Sequence, residues 1–221
     1  MEQIILDYYK DIDKYTIDEA IKKSVKILNL LIEYGTKTFM KEIEEFDKKR
    51  NSYNKKLKPI HNKIIKELKN LNKKSKIKFH ITPASSFSAN MNLPHESDMD
   101  FIITVDKLSN EDLYKLISYF SQNGYEYHET RRKDDPNNIH YVLQKIKNGI
   151  EIEIKIRDSD KTISLLEVHN KIDNKLKKDK KKVLTYLKFI YKNKDAKLYN
   201  AFKSIFYTSM FEGVKNAIII K

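Results

Sequence analysis

The chain has 221 residues, enough for one large domain or two small ones with a buried core, and it carries a formal net charge of +13 at pH 7. It contains no cysteine, which excludes disulfides, thiolate nucleophiles and thiolate zinc sites and fits a reducing compartment. The apolar runs are short and the first residues include acids, so we expect no membrane-spanning helix, no secretory signal and an intracellular location, cytoplasmic or nuclear.

The N-terminal third has the pattern of helices. Thr16 and Glu19 form a capping box before apolar residues at helical spacing, which predicts a helix that runs to about Gly35. A second helix is predicted over residues 36–57. Pro59 is expected to interrupt it, and a further helix with a narrow apolar stripe is expected to follow.

From Lys76 the pattern changes to the alternation of apolar and polar residues that is typical of strands. Ser109 is expected to cap a helix that runs to about Gln122, and Gly149 to form a tight turn. The predicted strands cover residues 77–81, 98–105, 125–130, 139–146 and 150–156.

Lysine-rich helices are expected from Ile163 onward, two or three in number. The pattern therefore predicts an α+β protein in which a mixed or antiparallel sheet lies between helical segments. The expected domains are a helical N-terminal segment over 1–75, a sheet-containing core over 76–160 and a C-terminal helical segment over 161–221.

Two basic stretches flank an acidic middle part of the chain. Residues 36–78 hold 15 Lys or Arg and 5 Asp or Glu, and residues 171–194 hold 10 and 2. This distribution favours a polyanion at the flanks and a cation at the centre.

Two acids open the second predicted strand. Asp98 and Asp100 flank Met99, so both carboxylates point to one face, about 6–7 Å apart, while Met99 points into the core. In the last predicted strand Glu151 and Glu153 alternate with isoleucines, and a neighbouring antiparallel strand is expected to bring a third carboxylate to the first two. Such a cluster needs a cation, and Mg²⁺ prefers oxygen ligands.

This order of residues resembles the polymerase-beta-like nucleotidyltransferase superfamily, whose members have a Gly-Ser turn that opens a helix, Asp-x-Asp on a strand and a third acid on a later strand. The segment LPHESDMD, residues 93–100, is similar to that of the poly(A) polymerase and terminal uridylyl or adenylyl transferase branches, with one additional residue. The resemblance covers about residues 77–157 and implies the nucleotidyltransferase fold.

The resemblance implies that Asp98, Asp100 and Glu153 are catalytic and bind two Mg²⁺ or Mn²⁺ ions. Glu153 follows Gly149 at the family's spacing, and Glu151 is the alternative third acid. The family more often has Asp at this position.

The same resemblance implies contacts to a nucleoside triphosphate. Ser86 and nearby backbone N–H groups at the helix start are expected to hold the triphosphate, with Ser85 beside it where the family has glycine. Lys155 is expected either to neutralise the acids or to meet a phosphate. Lys188 is expected to hold the triphosphate unless the aromatic stripe around it belongs to the core.

The activity that follows is transfer of a nucleoside monophosphate from a triphosphate such as ATP to a hydroxyl group, with release of pyrophosphate. The favoured acceptor is the 3′ end of RNA, without a template and bound through the lysine-rich flanks. Two alternatives stay open. One is the same chemistry on a protein, a small molecule or a nucleotide, and the other is a catalytically silent subunit that binds RNA or a partner, which Ser85 suggests.

Overall fold

The computed structural model describes residues 1–84, 86–94, 98–131, 139–158 and 176–212. Helices and one five-stranded sheet make up the described structure, so the predicted α+β class is confirmed. None of the described helices is long and apolar enough to cross a membrane. The elements are α1 (Glu2–Asp11), a 3₁₀ turn (Ile12–Lys14), α2 (Ile17–Thr38), α3 (Met40–Lys74), β1 (His80–Pro83), β2 (Met99–Val105), α4 (Asn110–Gln122), β3 (Glu126–Arg131), β4 (Ile139–Lys147), β5 (Ile150–Asp158), α5 (Lys178–Lys194) and α6 (Ala196–Met210).

The chain groups into two compact units. One consists of Met1–Asn51 with Ser164–Lys221, and the other of Ser52–Ile163. The division falls inside α3. The expected division at residues 75 and 160 stays a prediction about domains.

The described part of the first unit is helical. Its α2 begins with the predicted capping box, in which Thr16 Oγ1 accepts a hydrogen bond from the Glu19 N–H at 3.3 Å and the Thr16 N–H donates to Glu19 Oε2 at 2.9 Å. Gly35 lets α2 approach α5 closely, since a Cβ there would lie 2.5 Å from Val183 Cγ1. The centre of this unit is formed by side chains with no exposed surface: Ile5, Ile12, Leu31, Leu184, Leu187, Ala201 and Ile205.

The long helix α3 corrects one expectation. Pro59 does not interrupt the helix, because α3 runs continuously from Met40 to Lys74 with Pro59 inside it. Pro59 lies on the exposed side of the helix, where water can satisfy the carbonyl that its missing N–H leaves unpaired. On the opposite side Leu57 and Ile64 are buried, so packing maintains the helix on both sides of the proline.

The second unit is built on the sheet, whose strand order is β1-β2-β5-β4-β3. β2 and β5 are parallel, and the other neighbours are antiparallel. The sheet is therefore mixed, which is one of the two predicted arrangements. The first strand begins three residues later than expected, because regular pairing with β2 starts at His80.

One face of the sheet carries the core of this unit. Alternate residues of β2 and β5 lie on this face. The side chains that face them come from α4 and from the second part of α3. Ser109 caps α4, as predicted, by accepting a hydrogen bond from the Asp112 N–H at 3.1 Å. The main core residues are Met99, Phe101 and Ile103 of β2, Ile152, Ile154 and Ile156 of β5, Leu57, Ile64, Leu68 and Leu71 of α3, and Leu113, Leu116 and Phe120 of α4.

Candidate active site

The face of the sheet opposite this core carries the acids that the sequence singles out. We call it the acidic face, and its charged residues on β2 and β5 are Asp100, Glu151, Glu153, Lys155 and Arg157. In the register of the parallel strands, Asp100 of β2 lies directly beside Glu153 of β5. The expectation that an antiparallel strand delivers the third acid is therefore wrong, because β5 runs parallel to β2. Directly paired residues point to the same face, so the two carboxylates are neighbours all the same.

Asp98 lies two residues before Asp100, just ahead of β2, and is exposed. Met99 between them has no exposed surface and points into the core, as predicted. The alternation of buried and polar residues at the start of β2 thus places Asp100 on the acidic face.

Two polar side chains contact the glutamates of β5. Lys155 Nζ lies 2.8 Å from Glu153 Oε1 in an ion pair. Gln144, which is paired with Glu153 from β4, donates a hydrogen bond to Glu151 Oε1. The two glutamates therefore have different partners.

The environment of Asp100 is unfavourable for its charge. Burial is the largest cause that raises the pKa of Asp100, which reaches about 6. Lys155 opposes the rise, while the negative charges of Glu153, Asp98 and Glu151 add to it. The side chains singled out from the sequence thus act on one another electrostatically.

Within the described ranges, no three His, Asp or Glu side chains are grouped closely enough to hold a metal ion. The donors that lie near one another are carboxylates, and their oxygens are the ligands that Mg²⁺ prefers. The chemistry of Asp98, Asp100 and Glu153 fits this ion, and their role as ligands stays a prediction.

A turn joins β1 to the region of the acids. The Ala84 N–H donates to the Asp100 carbonyl at 2.9 Å, and the Met91 N–H donates to the Ser86 carbonyl at 2.7 Å. Asn90 has a φ of +55°, a left-handed conformation that Asn tolerates. The expected helix after Ser86 is wrong for the described residues 86–94, which form turns and irregular chain.

Sequence reasoning missed a pair of amides that holds this turn. Asn92 Nδ2 donates to Asn54 Oδ1 at 2.6 Å, and Asn54 Nδ2 donates to Asn92 Oδ1 at 3.1 Å. Asn92 is almost completely buried. No local pattern signals this pair, because its members are 38 residues apart.

Ser85 and Lys188 are the two other residues that the sequence predicts to lie at the triphosphate. Ser85 lies outside the described residues, and so do residues 95–97. Lys188 lies half-buried on α5 of the helical unit, and its contact to a triphosphate stays a prediction. Tyr191 of the same helix is only 2% exposed, so this member of the aromatic stripe belongs to the core.

Comparison with known proteins adds structural neighbours. No protein-family model matches the sequence, and no curated protein matches it at a significant level. A mutant of the Cid1 poly(U) polymerase bound to MgATP is similar at 15% identity and a TM-score of 0.46, covering 71% of this chain and 50% of that chain.

Two further solved structures are similar. The Cid1 poly(U) polymerase with Mg 3′-dATP bound has 16% identity and a TM-score of 0.44, and the match covers 76% of this chain and 48% of that one. A cytoplasmic RNA terminal U-transferase has 16% identity and a TM-score of 0.40, with 64% and 45% covered. This chain spans about half the length of each neighbour.

The likeness concerns the arrangement of the chain. The solved structures that are similar to this chain are named as a poly(U) polymerase and a terminal U-transferase, and membership of this chain in the polymerase-beta-like superfamily stays a prediction. The nucleotides, the metal ion and the enzymatic activities that these names mention belong to the neighbouring proteins.

Proposed function

We propose that the chain is a metal-dependent nucleotidyltransferase that moves a nucleoside monophosphate from a triphosphate to a hydroxyl group. The proposed acceptor is the 3′ end of RNA, extended without a template. The observation that supports this most is the pairing of Asp100 with Glu153 on the acidic face, with Asp98 two residues away.

Asp98, Asp100 and Glu153 would hold Mg²⁺ or Mn²⁺, since all three offer carboxylate oxygens. When bound, such ions stabilise the attacking and leaving oxygens of an in-line displacement. One of the three carboxylates would also accept the proton of the acceptor hydroxyl. Lys155 would balance the charge of Glu153 through their ion pair.

The turn after β1 would hold the triphosphate. Its start is tied to Asp100 by the Ala84 hydrogen bond, so Ser86 lies only two residues from a backbone contact with the acidic strand. Backbone N–H groups in such a turn attract phosphate oxygens. Ser85 belongs to the proposal as a further phosphate contact, and RNA is proposed to bind through the lysine-rich flanks.

The test incubates the purified full chain with labelled triphosphates, a short RNA and Mg²⁺ or Mn²⁺. Extension of the RNA by the wild type, and its loss in the double variant Asp98→Ala with Asp100→Ala, is the expected result. Asp106→Ala is the matched control, because Asp106 is an exposed acid just after the same strand. No extension, or extension by the double variant, contradicts the proposal.

A second candidate is a catalytically silent nucleotidyltransferase fold that binds RNA or a partner. The ion pair between Glu153 and Lys155 favours it, since a lysine then supplies the positive charge that a metal ion would otherwise supply. Triphosphate binding without turnover, unchanged by Mg²⁺, would support this candidate against the first.

A further inference from the structure

The second part of α3, residues 52–74, carries one strongly basic side. This stretch contains eight lysines and a single acid, Glu67. By contrast, the whole of α2 contains four lysines and three acids. All eight lysines are exposed, and we call them the lysine face: Lys55, Lys56, Lys58, Lys63, Lys66, Lys69, Lys73 and Lys74.

The acid on this stretch is already neutralised by other residues. Glu67 Oε1 lies 3.0 Å from Lys145 Nζ, and Glu67 Oε2 forms an ion pair with Lys147. Lys78, by contrast, has a structural role beyond the helix end, because its Nζ donates to the Ser75 carbonyl at 2.9 Å. No acidic side chain of residues 52–74 is therefore left to neutralise the charge of the lysine face.

Lysines three or four residues apart repel one another on a helix. Lys66 has Lys63 and Lys69 at this spacing, and Lys69 has Lys73. The helix is stable in spite of this repulsion because its other side is packed in the core. An external polyanion is the kind of partner that relieves the repulsion.

The lysine face points away from the acidic face. The buried side of α3, with Ile64 and Leu68, packs on the core face of the sheet, whereas Asp100 and Glu153 lie on the opposite face. A ligand on the lysine face is therefore separate from the candidate active site.

We propose that the lysine face binds the phosphate backbone of a double-helical region of RNA. The eight lysines span roughly 28 Å along the helix, close to one turn of a duplex. The exposed residues of this stretch are Lys, Asn, Ser and Pro, without an exposed aromatic ring on which single-stranded bases would stack. The apolar side is buried in the core, so the helix has no apolar side to insert into a membrane.

That the polyanion is RNA rests on the proposed function, whereas its position on the lysine face of α3 rests on the structure. The test measures binding of the full chain to a fluorescent RNA duplex of about 20 base pairs at several salt concentrations, without triphosphate. The variant is Lys66→Gln with Lys69→Gln. The matched control is Lys22→Gln with Lys26→Gln, two exposed lysines of α2, and Lys66→Arg with Lys69→Arg retains the charge.

Removal of two phosphate contacts is expected to weaken binding on the order of tenfold or more near 0.1 M salt and to reduce the salt slope by about two. The α2 control and the arginine variant are expected to bind as the wild type does. An unchanged slope, an equal loss in the α2 control, or tighter binding of a single strand of equal length overturns the inference. Loss of nucleotide transfer with intact duplex binding refutes only the proposed function, because the binding assay contains no triphosphate.

Discussion

The substitution Asp100→Asn removes a charge from a partly buried position among other acids, and we expect it to stabilise the protein near neutral pH. Asn has nearly the same shape as Asp, so the core beneath β2 is left intact. The expected gain comes from the pKa of Asp100, which the folded protein raises from 3.8 to about 6.

A rise of about two pKa units corresponds to about 3 kcal/mol, since one unit is about 1.4 kcal/mol. Because its pKa is higher in the folded protein, the Asp100 carboxyl group binds its proton more tightly there than in the unfolded chain. The free energy of unfolding therefore falls as the pH rises through about 4 to 6, and the full cost is present above this window. For Asp100→Asn we expect most of this cost to disappear, which raises the melting temperature by roughly 5–10 °C.

The assay is thermal unfolding of both proteins in EDTA over this pH range. The variant is expected to be the more stable protein near pH 7 and to approach the wild type near pH 4. Asp106→Asn, which changes an exposed acid, serves as the control and is expected to leave the melting temperature almost unchanged. Equal or lower stability of Asp100→Asn near pH 7 would refute the reasoning.

Other features of the structure allow three further tests. Glu153→Gln is expected to lower the rate of nucleotide transfer by at least tenfold and Glu151→Gln to lower it much less, because Glu153 is the residue paired with Asp100. Single-turnover assays measure this rate, and equal effects of the two variants would contradict the expectation. Asn92→Ala is expected to destabilise the protein by about 1–3 kcal/mol, because Asn54 loses both of its hydrogen bonds to Asn92. Denaturant unfolding measures this loss, and unchanged stability would refute a structural role for the pair. Burial lowers the pKa of His61, so protonation of this histidine destabilises the folded wild type as the pH falls below about 6.5. The variant His61→Leu lacks this group, and its stability relative to the wild type should therefore rise over the same range. A difference in melting temperature that stays constant with pH would contradict this.

The elements that the sequence predicts well are those whose signals are local. The capping residue Ser109, the alternation in β5 and the position of Met99 between two acids all depend on neighbours within a few residues. Such patterns follow directly from helix and strand geometry. They place Asp98 and Asp100 on one face and leave Glu151 and Glu153 as alternatives for the third acid, and the choice of Glu153 came from the resemblance to nucleotidyltransferases.

What the sequence could not predict depends on distant contacts. The parallel pairing of β2 with β5 is a choice between partners that only the complete sheet decides. The continuation of α3 through Pro59 depends on packing on the other side of the helix. The amide pair of Asn54 and Asn92 likewise has no signal along the chain.

The parallel arrangement of β2 and β5 has a consequence for biosynthesis. Asp100 and Glu153 are far apart along the chain, and they become neighbours only when β5 docks between β2 and β4. A nascent chain that has not yet released β5 from the ribosome therefore lacks both the acidic pair and the repulsion that Glu153 adds at Asp100. Both arise together when β5 pairs with β2, and such a long-range contact is expected to form more slowly than local ones.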